Sequence, residues 1–525
     1  MTPADVVLLL LVVALGAATL GQRSRTPAPV LLAVVGVVVG IVWRHVPFLP
    51  PLAFPPRLVL LVFLPPLLLN ASYSLPLGGF RANIRSILML AVGLVLATMF
   101  VAAFAAHLAM PALPWVAAIA IGAIISPPDP VAASAVAQQT GLSHRLVTIL
   151  EGEGLVNDAI AIVIYQLAVQ SAVTGHVTLG EGALALVREA PEGVLIGFVI
   201  GWIVVQIRRR LDDSALESGI SLLVPFITYQ LADRLGASAV LAVVTLGFVL
   251  RRHDLEISSP TTRLTTRTVW RAVDFIGNTL VFMLVGIEIG AATAAPIGRS
   301  MIGAGALVAA SAIVLRLAWM LGAPHLMRAL GMNADEPAPS WRELTVLGWA
   351  GMRGVVSLAL ALGLPFTTNT GAALPARNEI ILLSFAVIMA TLVLQGLTLV
   401  PLTHLLHVGD PGAERRAEQQ VRDRARRAAR ALVMRSDAAG ELPHTECVRL
   451  AEVMDTGEVG IAAGVKPNSR EILERAIEVQ RSIVARARDG GRIGDPLAQR
   501  LEGELDRDLL RLREEDANSQ LRLST

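Results

Sequence analysis

The 525 residues are 54% hydrophobic with a mean hydropathy of +0.62, and apolar runs recur from residue 6 to about residue 404. This composition excludes an ordinary water-soluble globular chain and describes a polytopic membrane protein. The formal net charge of +2 hides an uneven layout, because charges are sparse up to about residue 405 and dense from there to Thr525, so the natural division is a membrane domain, 1–404, and a helical tail, 405–525.

In chain order, apolar runs broken by Gly, Pro and charge clusters predict about thirteen spans, near 6–20, 28–43, 57–73, 84–109, 115–138, 146–172, 192–208, 217–233, 237–250, 271–293, 298–322, 343–368 and 378–404. Met1 to Asp5 carries no basic residue ahead of its apolar run and a further span follows, so the first run is read as a span and not as a cleaved signal. With the N-terminus outside, inner loops hold fifteen arginines and outer loops six, which predicts a cytoplasmic tail.

The fifth span contains Ser126-Pro127-Pro128-Asp129-Pro130, where three prolines remove three backbone donors and interrupt the helix near its middle. Backbone freed at that depth is tolerated only inside protein or beside a water-filled cavity, and interrupted helices are where secondary transporters bind ions. The sixth span reads Glu151-Gly152-Glu153-Gly154-Leu155-Val156-Asn157-Asp158. At helical spacing Glu151 and Asp158 share one face and Glu153 and Asn157 another. Three acids in this stretch require a compensating proton, metal ion or arginine.

The twelfth span supplies an arginine in Gly348-Trp349-Ala350-Gly351-Met352-Arg353-Gly354. Glu153 is its first expected partner and Glu151 the second, while Arg316 and Glu288, also within spans, are left to pair elsewhere. Asp129 and Asp158 then remain without an evident fixed countercharge. A carboxylate that must be either protonated or bound to a cation makes the two ligands compete, which is the minimum needed for exchange; one exchangeable charge makes the exchange electroneutral.

In the tail, Arg415, Arg416, Arg422, Arg424, Arg426, Arg427 and Arg430 form a basic patch, read as positive-inside retention and contact with anionic lipid. Aromatic and motif signals for nucleic-acid binding are missing. Asn468 with Glu471 predicts a capping box for a helix ending near Gly490-Gly491, and Asp495-Pro496 opens another whose face is Leu497, Leu501, Leu505, Leu509 and Leu512. The one cysteine, Cys447, offers neither an intrachain disulfide nor a cysteine metal site.

The stretches SPPDPVAA, LEGEGLVNDA and GMRGVVSLALAL, with FLPPLLLNASY (63–73) and NTLVFMLVGIEI (278–289), resemble the monovalent cation:proton antiporters of the NhaP and sodium/proton exchanger type. The resemblance implies an all-α antiporter fold with inverted repeats and two interrupted crossing helices. It implies a core near 84–172 and 298–404, a dimerisation region near 1–73 and 192–293, a homodimer in the cell membrane and elevator-type alternating access. By family motif Asp158 would be the principal cation and proton carboxylate, Asn157 before it the mark of the electroneutral branch, and Asp129 a helper at the helix crossing. Glu153 and Arg353 would form a structural ion pair. Ser126, Glu151 and Asn70 are accessory candidates.

This chain departs from the common pattern in having Pro128 where many members have Thr, Gly154 where they have Ser, and Asn70 where several have an acid. The first two changes delete hydroxyls and leave more of the ion's shell to backbone carbonyls and water. No cofactor is expected; the transported ions would be protons and Na+, with K+ or Li+ as alternatives. Two other classes fit the residues less well. An intramembrane aspartyl protease also needs two aspartates on neighbouring spans, but its Gly-X-Gly-Asp sequence is missing. A cation channel needs no proton-binding carboxylate.

Overall fold

The computed structural model describes residues 28–45, 55–74, 84–129, 144–175, 179–211, 213–257, 259–292, 298–329, 340–408, 412–456 and 467–523, with a few isolated residues before 20. The first expected span and the far half of the fifth, 130–138, lie almost wholly outside these. Among the described residues the chain is helical, its one β feature an isolated bridge between Thr367 and Ala373.

The membrane part runs through α1 (Ala28–Arg44), α2 (Pro56–Ser74), α3 (Ile84–Leu88), a π-helical stretch (Met89–Leu94), α4 (Val95–Ala109), α5 (Trp115–Ile125), α6 (His144–Thr174), α7 (Leu179–Arg208), α8 (Ser214–Arg234), α9 (Ala239–Ile257), α10 (Pro260–Ala292), α11 (Arg299–Ala329), α12 (Trp341–Trp349), α13 (Val355–Leu362) and α14 (Arg377–Leu405). Among the described residues seven helical stretches are long and apolar enough to cross a bilayer: Met89–Ala109, Gly152–Thr174, Arg188–Arg208, Ser214–Arg234, Pro260–Gly290, Arg299–His325 and Arg377–Leu405. Shorter apolar stretches are Leu31–Arg44, Leu58–Tyr73 and Trp115–Ile125. The expected twelfth span is two short helices, α12 and α13, separated by an unwound Ala350–Gly354.

Helices in lipid gain nothing from hiding apolar surface from one another, so close backbone approach through small residues takes over. Gly36 and Gly40 of α1 lie against Gly286 and Gly290 of α10, where an added Cβ on Gly286 or Gly290 would fall about 3 Å or less from the facing glycine Cα. Gly193 and Gly197 of α7 likewise sit on the backbone of Ser238 and Ala242 at the start of α9. The π-helical stretch was not anticipated; within it, Gly93 makes room for the indole of Trp319 on α11.

The tail is α15 (Ala413–Ala438), α16 (His444–Thr456), α17 (Pro467–Asp489) and α18 (Asp495–Leu523). Leu497 and Leu501 join one small core with Val421 and Val484, while Leu509 and Leu512 join another with Cys447 and Leu473, so the leucine face of α18 is spent within the tail. Part of the basic patch is spent there too: Arg422 pairs with Glu418 at 3.0 Å and with Glu504 at 2.8 Å. That portion serves tail packing rather than the lipid contact expected from sequence.

The tenth span begins at Pro260 rather than near residue 271, because Ser259 caps the helix through its hydroxyl to the Thr262 amide (3.1 Å) and proline occupies the first helical position. Its polar first turns meet the tail. Arg263 forms a fork with Asp506 of α18, and Arg267 reaches Glu502 at 2.6 Å and the Gln499 carbonyl at 3.0 Å. Asp506 is fully buried, with Arg481 3.9 Å away on its other side.

Breaking one side of a buried pair strands the other at a cost of about 3–5 kcal/mol. Asp506→Ala is therefore expected to loosen α18 and with it the core around Cys447, which is 0% exposed. Modification of Cys447 by a thiol reagent, slow in the native protein, should accelerate at least about tenfold, the factor that only ~1.4 kcal/mol of opening supplies. An unchanged rate would show that α18 is held without this clamp.

Candidate functional site

α5 ends at Ile125 because Pro127 and Pro128 follow, and the chain continues through Ser126 to Asp129 in non-helical form. The Ser126 hydroxyl turns back to the Ala123 carbonyl at 3.1 Å, so it completes its own helix end. The Asp129 amide donates to the Met352 carbonyl at 2.6 Å, tying the broken end of α5 to the break between α12 and α13. This is a crossing of two interrupted helices.

Glycines make the crossing possible. A Cβ on Gly354 would overlap the Asp129 carboxylate, and one on Gly351 would overlap the Arg316 side chain. Gly354 is also the residue from which α13 starts, so Asp129 lies at a helix N-terminus, where the backbone dipole favours an anion.

On α6, Glu153, Asn157 and Asp158 are buried, with Asp158 8% exposed. Asp158 lies near enough to Asp129 for their charges to interact. Neither polar atom of the Asn157 amide has a hydrogen-bond partner among the described residues, an uncommon state for a buried amide. Glu151 belongs to α6, but its side chain falls outside the described residues.

The ion pair is not the one expected between Glu153 and Arg353. Arg316 of α11 grips Glu153 with both terminal nitrogens, at 2.6 and 3.0 Å, and both side chains are 2% exposed or less. Arg353 is equally buried but points its guanidinium at carbonyls, donating to Ile125 at 2.9 Å and to Gly351. The physical reason lies in the breaks: α5 and α12 both end here with carbonyls that no helical amide can reach, and a guanidinium is the side chain with enough donors to serve two of them. Sequence pattern placed Arg316 inside a span but offered nothing to rank it above Arg353.

Asn70 also lies elsewhere. Its amide donates to Asp274 of α10 at 2.5 Å, and the two line a separate cavity whose walls include neither Asp129 nor Asp158. Asp274 was absent from the sequence candidates although it falls inside the expected tenth span, 271–293; nothing in its pattern marks it out from the charges at that span's start. Glu288 pairs with Arg377 at 3.3 Å. Among the described residues no cluster of three or more acidic, His or Cys side chains has the makings of a multivalent metal site.

The sequence model described as "Sodium/hydrogen exchanger, transmembrane" matches residues 7–405. An uncharacterised Na+/H+ exchanger of Mycobacterium bovis is 31% identical over 527 aligned positions, covering 95% of both chains. The Na+/H+ antiporter ApNhaP of Aphanothece halophytica is 30% identical, covering 86% of this chain and 83% of that one. A sodium, potassium, lithium and rubidium/H+ antiporter of Bacillus pumilus is 32% identical over 69% of this chain and 58% of its own. Among solved structures, the sodium proton antiporter MjNhaP1 of Methanocaldococcus jannaschii at pH 8 superposes with a TM-score of 0.59 at 19% identity, over 76% of this chain and 97% of that one. With a superposition over three quarters of the chain and a family match over the whole membrane part, the chain has the sodium/proton-antiporter fold and belongs to the sodium/hydrogen exchanger family of transporters.

Proposed function

We propose that this antiporter exchanges one monovalent cation, Na+ in the first instance, for one proton, by competition of the two at Asp158. The observation that carries the reading is the charge arrangement at the crossing. Glu153 is neutralised by Arg316, and Arg353, held by carbonyls, stands in the chain directly between Met352 and Gly354, the two residues that contact Asp129. Counted over these buried groups, the single positive charge of Arg353 balances the negative charge of Asp129, and Asp158, with no ion-pair partner among the described residues, is the carboxylate left over. A buried carboxylate with no fixed countercharge is stable only when protonated or cation-bound. Exchange of the two ligands moves no net charge through the site.

Asp129 and the unpartnered Asn157 amide supply oxygens beside Asp158, and broken-helix carbonyls complete a shell that lacks the hydroxyls deleted at Pro128 and Gly154. K+ is the second reading for the cargo, favoured by the range of cations in the name of the Bacillus relative. The protein would work as a homodimer in the cell membrane with its tail in the cytoplasm, the regions near 1–73 and 192–293 holding still while the core carries the ion in elevator fashion. The glycine-packed α1–α10 and α7–α9 pairs support a rigid stationary part.

In proteoliposomes with an inside-acid gradient, addition of Na+ should dequench a pH-sensitive dye, at a rate that voltage clamping leaves unchanged. Asp158→Asn should abolish the signal in protein that still folds. Normal exchange by Asp158→Asn would remove Asp158 from its role, and a K+ response exceeding that to Na+ would select the second cargo.

The pairing makes a separate prediction for stability. Arg316→Ala and Glu153→Ala should each cost about 3–5 kcal/mol, while Arg316→Met with Glu153→Leu should recover most of that loss. A thermal-unfolding double-mutant cycle should give strong coupling between Glu153 and Arg316 and weak coupling between Glu153 and Arg353; the reverse order would contradict the geometry.

Gly354→Ala is expected to displace the Asp129 carboxylate and lower exchange at least about tenfold through lost site geometry. The folded yield should stay close to wild type. Full exchange activity in that variant would mean that Asp129 does not help to hold the ion.

A further inference from the structure

A cavity of about 190 Å³ lies away from the helix crossing, walled by Arg208, Arg251, Arg263, Arg267 and Arg271, with Asp274 as its one acidic wall residue. Arg208 closes α7, Arg251 lies in the last turns of α9, and the other three recur every fourth residue along the first turns of α10. The cavity therefore sits where spans end, at the depth of lipid headgroups, and α18 of the tail completes it through Gln499.

Three of the arginines are partly neutralised. Arg208 binds Glu217 at 3.1 Å, Arg263 binds Asp506, and Arg267 binds Glu502 at 2.6 Å. Glu502 and Asp506 are themselves shared, with Arg488 at 2.8 Å and Arg481 at 3.9 Å, so neither belongs to its cavity arginine alone. Arg251 lies over the Tyr73 ring at 5.6 Å, and Arg271 is exposed with no ion-pair partner among the described residues. Trp270 forms a fixed wall, its indole donating to the Ser221 hydroxyl at 3.1 Å.

We infer that this cavity binds a phosphate-bearing anion. Guanidinia stay charged at any physiological pH and match phosphate oxygens in bidentate geometry. The volume is below the ~300–1,000 Å³ typical of sites for whole organic ligands, so it admits a phosphate group and its immediate ester substituents and excludes a nucleotide. Two sources carry that chemistry, the headgroup of an anionic lipid and free phosphate or pyrophosphate.

The test titrates the purified full-length protein in neutral detergent with phosphatidylglycerol, phosphatidylcholine, inorganic phosphate and pyrophosphate, reading dissociation constants by native mass spectrometry. The variants are Arg271→Gln, Arg251→Gln with Arg271→Gln, and, as an equal loss of charge outside the cavity, Arg424→Gln with Arg427→Gln. Slow labelling of Cys447 checks that the tail stays folded. A phosphatidylglycerol constant weakened at least about tenfold in the cavity double variant, less in Arg271→Gln and not in the control, supports the site with lipid as its source. The same pattern with phosphate or pyrophosphate alone supports it with a soluble anion. Equal affinities in wild type and cavity variants for every probe, or an equal loss in the control, would overturn the inference.

Discussion

The hydrogen bond from the Asp129 amide to the Met352 carbonyl is the constraint on which the rest of the membrane domain turns. It exists because two helices are broken at the same depth, one by prolines that cannot donate and the other at glycines that permit close approach. Each break leaves polar backbone in a setting where an unsatisfied group costs several kcal/mol. The two breaks can occur only together, each supplying what the other lacks, and Arg353 completes the set by donating to Ile125 and Gly351. The crossing is thus a stable structural unit before any ion enters it.

That unit also decides which charges are free to act. A buried pair such as Glu153–Arg316 adds little to net stability compared with a packed apolar pair, yet its removal on one side is costly, so it ties α6 to α11. Arg353 is held by carbonyls and needs no carboxylate of its own. Asp129 faces the start of α13, whose dipole favours its charge. Each of these groups has a fixed electrostatic partner built from the chain, whereas Asp158 has no ion-pair partner among the described residues.

Much of this was legible in the sequence, and the reasons differ by residue. Prolines flanking Asp129 announce a broken helix because their effect is local and steric. The acids of α6 announce a site because charge in an apolar run is costly wherever it lies. The partner of Glu153 was not legible, since Arg316 and Arg353 both sit inside spans, and only where the fold directs each guanidinium separates them. Arg353 also has a use that charge pairing does not suggest, serving carbonyls that exist only once the helices are broken. The start of α10 was missed because its first turns are polar, and a hydropathy reading follows lipid contact rather than helicity; the Ser259-Pro260 start signal was the local clue. The convergence of five arginines on one cavity was not legible either, because it depends on how α7, α9 and α10 are brought together.

The 33 residues of α10 join regions that the sequence presents separately. Its first turns bind Glu502 and Asp506 of the tail, its next turn carries Asp274 against Asn70 of α2, and its far end is packed glycine on glycine against α1. Glycine contacts leave no side chains to rearrange, so the α1–α10 pair moves as one body. The ion pairs at the other end are directional and buried, and they tolerate little displacement. Motion of the tail relative to α10 must therefore break those pairs or tilt α1 and α10 together, and a tilt would change the relation of Asp274 to Asn70 within the arginine-lined cavity. Among the described residues α10 carries the buried ion pairs that bind the tail to the membrane domain, and the acids of α18 are spent on Arg263 and Arg267 instead of being left to solvent.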